Sequence, residues 1–102
     1  MARVLVEGKY VMFRCPGCDD IHMINRDMWF YDGNANLPTI NPSILVRSAI
    51  QVAGSNVDRK CHSFVREGMI QYLPDCSHHL RGQTVALPIL DRDSKDILFG
   101  HA

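Results

Sequence analysis

The four cysteines of this chain fall into three clusters, and that distribution is the strongest constraint on its fold. The first cluster is the C-P-G-C turn of residues 15–18, and the other two begin at Cys61 and Cys76. Four of the five histidines lie in or beside these clusters. Two thiolates separated by two residues point at one spot, which is the half-site of a zinc knuckle or ribbon. The second half must come from further along the chain, so we expect distant segments to meet at one Zn²⁺ ion.

The size of the chain makes such an ion useful. Its 102 residues, 46% of them hydrophobic, are typical of one globular domain. A domain of this size buries only about 60–70% of its unfolded surface, so a bound metal would add stability. The first residues lack the apolar run and cleavage site of a signal peptide, and no stretch approaches the ~18 apolar residues that cross a membrane. We therefore expect a reducing cytoplasm, where paired cysteines bind metal more often than they form disulfides.

The charge balance indicates which class of partner the chain binds. Lysine plus arginine and aspartate plus glutamate both number 11, so the net charge is zero. A non-specific nucleic-acid binder usually carries an excess of basic residues. The composition therefore argues against nucleic acid and favours a protein partner.

Short runs rich in β-branched and aromatic residues predict a mostly β fold. We expect a small single-domain β sheet or sandwich with a zinc-ribbon-like knuckle and at most one short helix. The clearest hairpin joins residues 61–65 to residues 69–73. Residues 77–81 are expected to form the one helical turn, and residues 51–60, with Gly, Ser, Asn and a charged run, a mobile loop.

The composition also divides the chain in two. Residues 1–90 are expected to form the zinc-stapled β domain. Residues 91–102 begin with a charged run and are expected to form a C-terminal tail, which either stays loose or docks through its apolar residues 97–99.

The ligand set has one economical choice and several alternates. Because soft thiolates suit a closed zinc site, the preferred ligands are the four cysteines, Cys15, Cys18, Cys61 and Cys76. The alternates are the nearby imidazoles of His62, His78, His79 and His22. Cys61 and His62 are adjacent on a predicted strand, so their side chains point to opposite faces and only one should reach the ion. Cys76 shares a face with His78 in an extended segment and with His79 in a helical turn, which leaves the set open.

The remaining histidines keep an enzyme hypothesis open. A catalytic zinc needs an open coordination position and a general base. In that case the catalytic residues would be His62, Asp75 and His78. The chain lacks the H-E-x-x-H pattern and the H-x-E with P-C-x-x-C pattern of known zinc hydrolases and deaminases, which favours a protein without catalytic activity.

The motifs taken together resemble a family of small phage and prophage proteins. The blocks occur in order over residues 13–88, as C-P-G-C with His22, then W-F and D-G-N, P-T-I-N-P-S-I-L-V, C-H-S-F, D-C-S-H, and G-Q-T-V leading to L-P. The family has no established activity. Some members carry the label ammonia monooxygenase, a reaction of a multi-subunit membrane copper enzyme. The resemblance implies a zinc-binding protein that a phage encodes and that works in the cytoplasm of a bacterial host. It favours His78 over His79, because the family pattern reads D-C-x-H.

Our leading hypothesis from the sequence is a phage-encoded zinc-binding β module that binds a host or phage protein. A more specific form of this hypothesis is that the module inhibits a bacterial defence system. The alternative is a small zinc-dependent hydrolase with an open metal site near His62, Asp75 and His78. Four protein ligands around the ion favour the first hypothesis, and a solvent-reachable ion with three ligands favours the second.

Overall fold

The computed structural model describes residues 1–90, so the predicted tail, residues 91–102, lies outside the described residues. The described chain forms eight strands and no helix, which confirms the mostly β class. No helix capable of crossing a membrane occurs in this part of the chain. The turn predicted as helical, residues 77–81, consists of bends and turns instead. The strands are β1 (Leu5–Glu7), β2 (Tyr10–Cys15), β3 (Asp20–Asn25), β4 (Phe30–Tyr31), β5 (Ile40–Val52), β6 (Ser55–Arg66), β7 (Met69–Tyr72) and β8 (Thr84–Ala86).

The strands form two antiparallel sheets. One has three strands in the order β1–β2–β3, and the other has five in the order β4–β5–β6–β7–β8. The longest element is the β5–β6 hairpin, closed by a tight turn in which Ala53 and Gly54 both have positive φ (52° and 82°). The expectation of a mobile loop at residues 51–60 was therefore wrong. Residues 53–58 are all exposed, so this part of the hairpin has no buried side to produce an alternating pattern.

One cluster of buried side chains joins the two sheets. Phe13 of β2 and Ile24 of β3 contribute from the three-stranded sheet, and Ile44, Val65 and Ile70 contribute from the five-stranded sheet. Cys15 and Cys61 belong to the same cluster. Residues from distant parts of the chain thus meet between the sheets, in a region closed to water.

The five-stranded sheet has a core face and an outer face. Ile44 pairs with Ser63, and both are buried. The next pair, Leu45 and His62, points to the opposite side, where Leu45 is 49% exposed. Polar side chains that alternate with the core residues of β6 therefore stand on an open sheet surface.

A β-bulge interrupts β5 near its start. Ile40 pairs with Val65 and Ile44 with Ser63, so four steps along β5 correspond to two along β6. Bulges of this kind redirect a side chain relative to the regular pleat. Ser43 ends the bulge, and its carbonyl oxygen accepts a hydrogen bond of 3.3 Å from Trp29 Nε1. The bulge sets the position of Ser43 beside the outer face of β6.

The core and outer faces of the five-stranded sheet predict different losses of stability when side chains of β7 are truncated. Ile70 is fully buried and Met69 is 40% exposed. Ile70→Ala should lower the free energy of unfolding by about 2–5 kcal/mol, because it leaves a cavity in the core. Met69→Ala should cost less than about 1 kcal/mol. Denaturant unfolding of both variants measures this, and equal losses would contradict the assignment of faces.

Candidate functional site

Four side chains converge on one point between the sheets. Cys15 ends β2, Cys18 lies in the turn that follows, His22 lies on β3 and Cys61 lies on β6. Their ligand atoms all lie within 4.8 Å of one another. The sulfurs of Cys15 and Cys61 are 3.8 Å apart, which suits two corners of a tetrahedron whose zinc–sulfur bonds are about 2.3 Å long. This group could hold a metal ion, which would then join the two sheets.

The electrostatics of the group favour a thiolate at Cys15. The pKa of Cys15 is lowered far below its ordinary value because Cys18 and Cys61 hydrogen-bond to its sulfur, against the effect of burial. Burial lowers the pKa of His22, but the nearby sulfurs of Cys15 and Cys18 raise it more, to about 9, so a positive charge is favoured beside the thiolate. The Nε2 atom of His22 is buried and has no hydrogen-bond partner within residues 1–90. A bound metal ion would take the place of the proton on this imidazole.

The turn between the first two cysteines packs against Tyr72 and His78. The Tyr72 hydroxyl accepts a hydrogen bond of 3.1 Å from the Gly17 amide and lies 3.0 Å from the Cys15 sulfur. The rings of Tyr72 and His78 meet edge to face, with centroids 4.4 Å apart. A Cβ at position 17 would overlap the His78 imidazole, so glycine is needed there for close approach. The positive φ in this turn is at Asp19 (55°).

Cys76 has different partners from the other three cysteines. Its sulfur accepts a hydrogen bond of 3.2 Å from the His62 amide and donates one of 3.1 Å to the His62 carbonyl oxygen. It also belongs to a second possible metal group with Cys61 and His78. The two contacts with the His62 main chain fix the backbone of His62, and Cys76 lies outside the group of Cys15, Cys18, His22 and Cys61.

A separate group of polar side chains lies on the outer face of the five-stranded sheet. The Ser43 hydroxyl is 3.1 Å from His62 Nε2, and His62 Nδ1 is 3.2 Å from an Asp75 carboxylate oxygen. With Nδ1–H donating to Asp75, Nε2 is free to accept the Ser43 proton. Ser43, His62 and Asp75 thus form an unbroken chain of hydrogen bonds in the order of a Ser-His-Asp triad.

The segment after β7 brings Asp75 to His62. Leu73 N donates to His62 O at 2.9 Å, and Ser77 N donates to Lys60 O at 2.8 Å, so this segment runs along β6. Lys60 Nζ lies 2.9 Å from the same Asp75 oxygen that faces His62. Two neighbours on one side of β6 therefore hold this carboxylate in place.

Asp75 is ionised near neutral pH in this environment. Its pKa is lowered because Lys60 and then His62 hydrogen-bond to its carboxylate. The side chain of His62 is 26% exposed and that of Asp75 is 42% exposed. The group is consequently in contact with solvent across the open sheet face.

The structure brings together some of the residues singled out in the sequence and separates others. His62 and Asp75 are in contact, whereas His78 packs on the metal side of the fold, against Gly17 and Tyr72. His79 is exposed and belongs to neither metal group of the described chain.

Sequence reasoning missed the third member of the group, Ser43. The chain has six serines, and the C-H-S-F motif draws attention to Ser63 beside His62. Ser63 is fully buried on the core face, and its hydroxyl has no hydrogen-bond partner within the described chain. No spacing rule identifies Ser43, because its approach to His62 depends on the β-bulge and on strand pairing.

The fold and the site define a small all-β protein with a cysteine–histidine group able to bind metal and a Ser-His-Asp arrangement on one sheet face. Residues 2–73 match the family described as "Bacterial ubiquitination-like system serine protease (BubE)". This is most of the chain, and the chain belongs to that family. Searches of curated proteins and of solved structures give no match. The resemblance to small phage proteins stays a prediction.

The geometry predicts which substitutions release metal. Cys15→Ser, Cys18→Ser, His22→Gln and Cys61→Ser should each reduce the metal content of the purified protein from about one ion per chain by at least about tenfold. Cys76→Ser should retain the ion. Elemental analysis of gel-filtered protein measures this. Loss of metal from Cys76→Ser together with its retention in His22→Gln would contradict this prediction and support the ligand set of four cysteines.

Proposed function

We propose that the chain is a serine-type hydrolase that cleaves acyl bonds of polypeptides within a bacterial ubiquitination-like system. The observation that carries this is the hydrogen-bonded chain from the Ser43 hydroxyl through His62 to the Asp75 carboxylate, with links of 3.1 and 3.2 Å. The family description, which names a serine protease, supports the same chemistry. Family and geometry are separate observations, since the first comes from sequence and the second from side-chain contacts.

The arrangement assigns one step to each residue. Ser43 Oγ attacks the carbonyl carbon of the scissile bond while its proton passes to His62 Nε2. The imidazolium that forms is stabilised by the Asp75 carboxylate, which keeps its own charge. His62 then gives the proton to the leaving group, which departs and leaves an acyl group on Ser43. Water, deprotonated by His62, attacks this acyl group and releases the acid product and free Ser43.

Lys60 contributes to the orientation of the acid. Because Lys60 and His62 contact the same oxygen of Asp75, two side chains on one face of β6 hold the carboxylate. The exposure of Asp75 makes this ion pair one that solvent screens. Its contribution is therefore to geometry more than to stability.

We propose Zn²⁺ as the metal, bound by Cys15, Cys18, Cys61 and His22. Three thiolates and one imidazole are a closed structural set, and four protein ligands leave no position for a catalytic water. When bound, the ion would supply a cross-link between the two sheets. Cys61 is adjacent to His62, so this cross-link would also stabilise the strand that carries the proposed base.

The zinc-hydrolase alternative receives less support. His62 and Asp75 belong to neither of the possible metal groups, and His62 Nε2 is directed to Ser43. The phage-encoded binding module that acts on a host protein stays a prediction. The activity of the triad distinguishes this binding module from the hydrolase.

The proposal predicts which serine reacts. A dye-labelled alkyl fluorophosphonate, which needs only an activated serine, should modify Ser43 in the wild-type protein. Ser43→Ala should abolish labelling, and Asp75→Asn should slow it by about 10³–10⁴-fold, because an amide carries no charge to stabilise the imidazolium and can hold the imidazole in the wrong tautomer. The matched control Ser63→Ala should label within about threefold of wild type, since its hydroxyl is buried on the other face. Mass spectrometry of the modified peptide gives the site.

Metal content and thermal unfolding of each variant show whether the fold is retained. An adduct that persists in folded Ser43→Ala, or that is lost in folded Ser63→Ala, would overturn the assignment.

A further inference from the structure

The strand that carries Ser43 has an open edge. On that side of β5 the only paired strand among the described residues is β4, which covers Ile40 and Asn41. From Ile44 to Val52 the opposite side of β5 pairs with β6, and this side pairs with no strand of the described chain. An unpaired edge of this length is a template for another extended chain.

The main chain at Leu45 points its polar groups towards this open edge. Leu45 lies opposite His62, whose amide bonds to the Cys76 sulfur and whose carbonyl accepts from Leu73 N, both on the far side of β6. In an antiparallel pair, two opposed residues either exchange both hydrogen bonds or direct all of them outward. The amide and carbonyl of Leu45 are therefore directed away from β6.

The same reasoning applies two residues further on. Arg47 lies opposite Lys60, whose amide donates to the Ser77 hydroxyl and whose carbonyl accepts from the Ser77 amide. The polar main-chain groups of Arg47 are consequently also directed to the open edge. Leu45 and Arg47 thus offer two donors and two acceptors in the regular spacing of a strand.

The open edge ends at the proposed nucleophile. The carbonyl of Ser43 is taken by Trp29 Nε1, and β4 closes the edge beyond it. A chain paired with Arg47 and Leu45 therefore arrives at Ser43 and can pair no further. Two exposed apolar side chains flank this point, Leu45 (49%) and Phe30 (59%).

The two cavities described within residues 1–90 lie away from the triad. Of the two cavities described within residues 1–90, one lies beside Lys9 and Arg26 and the other beside Cys18 and Arg59. Neither is lined by a member of the Ser43–His62–Asp75 group. An extended chain has a row of main-chain hydrogen-bonding groups that leads to Ser43.

We propose that an extended segment of the polypeptide substrate pairs with the open edge of β5, bonding to the main chain of Leu45 and Arg47, and so delivers its scissile carbonyl to Ser43. This inference rests on the proposed hydrolase function. It gives the substrate class as a polypeptide cleaved within a flexible stretch of at least about four residues, because a folded helix cannot add to a strand edge.

The test compares two probes on three forms of the zinc-loaded protein. The small alkyl fluorophosphonate reports the triad alone. A pool of tetrapeptide phosphonates reports binding of a peptide main chain at the open edge. The side chains of the pool are randomised, so the probe does not depend on a particular substrate sequence. The forms are wild type, Arg47→Pro, which lacks the amide N–H directed to the edge, and the matched control Arg47→Ala, which keeps it. Proline is tolerated where a strand N–H faces an open edge.

We expect Arg47→Pro to lower the labelling rate of the tetrapeptide pool by about tenfold or more and to leave the fluorophosphonate rate unchanged. Arg47→Ala should label within about threefold of wild type with both probes. A second measurement avoids any effect on folding: methylating the backbone amides of the pool should slow its reaction with wild type by a similar factor.

Equal labelling of all three forms by the pool, together with indifference to amide methylation, would overturn edge pairing. A change in oligomeric state with Arg47→Pro and no change in labelling would also overturn it, since the edge would then pair with a second copy of the chain. Absence of fluorophosphonate labelling in wild type would instead count against the hydrolase function itself.

Discussion

The alternation of side chains at Cys61 and His62 is the constraint on which the rest of the structure depends. Neighbouring residues on a strand point to opposite faces, so β6 directs a sulfur into the core and an imidazole to the outer surface within one peptide unit. The group able to bind metal is built on the first, and the Ser-His-Asp arrangement on the second. Any shift in register by one residue would exchange the two faces and destroy both sites together.

The segment after β7 contacts His62 through two adjacent residues. Asp75 contacts the imidazole and Cys76, the next residue, bonds to the amide and the carbonyl of the same histidine. One short turn therefore fixes both the side chain and the backbone of the proposed base. A catalytic histidine has to be positioned within a fraction of an ångström. Here the two adjacent residues Asp75 and Cys76 position it.

Part of this arrangement could be predicted from the sequence, and the reasons for success and failure are physical. The cysteine clusters identified the segments that meet, because four scarce thiols in a small chain have few other uses. The opposite faces of Cys61 and His62 followed from strand geometry. Ser43 could not be found, since its position depends on a bulge that adds two residues to β5 against β6. Residues 51–60 were misjudged as a loop because the end of the β5–β6 hairpin, with residues 53–58 all exposed, carries no hydrophobic alternation.

The position of the metal group explains how so small a fold can display a triad on an open surface. A chain of this length has a small core, and four cysteine and histidine side chains in it would be costly if left unpaired. A bound ion would convert that cost into a cross-link between β2, β3 and β6, which lie in different sheets. The core side of β6 would then be held by the ion as well as by its apolar neighbours. The proposed triad could remain accessible to an extended chain because its strand would be held from the opposite face.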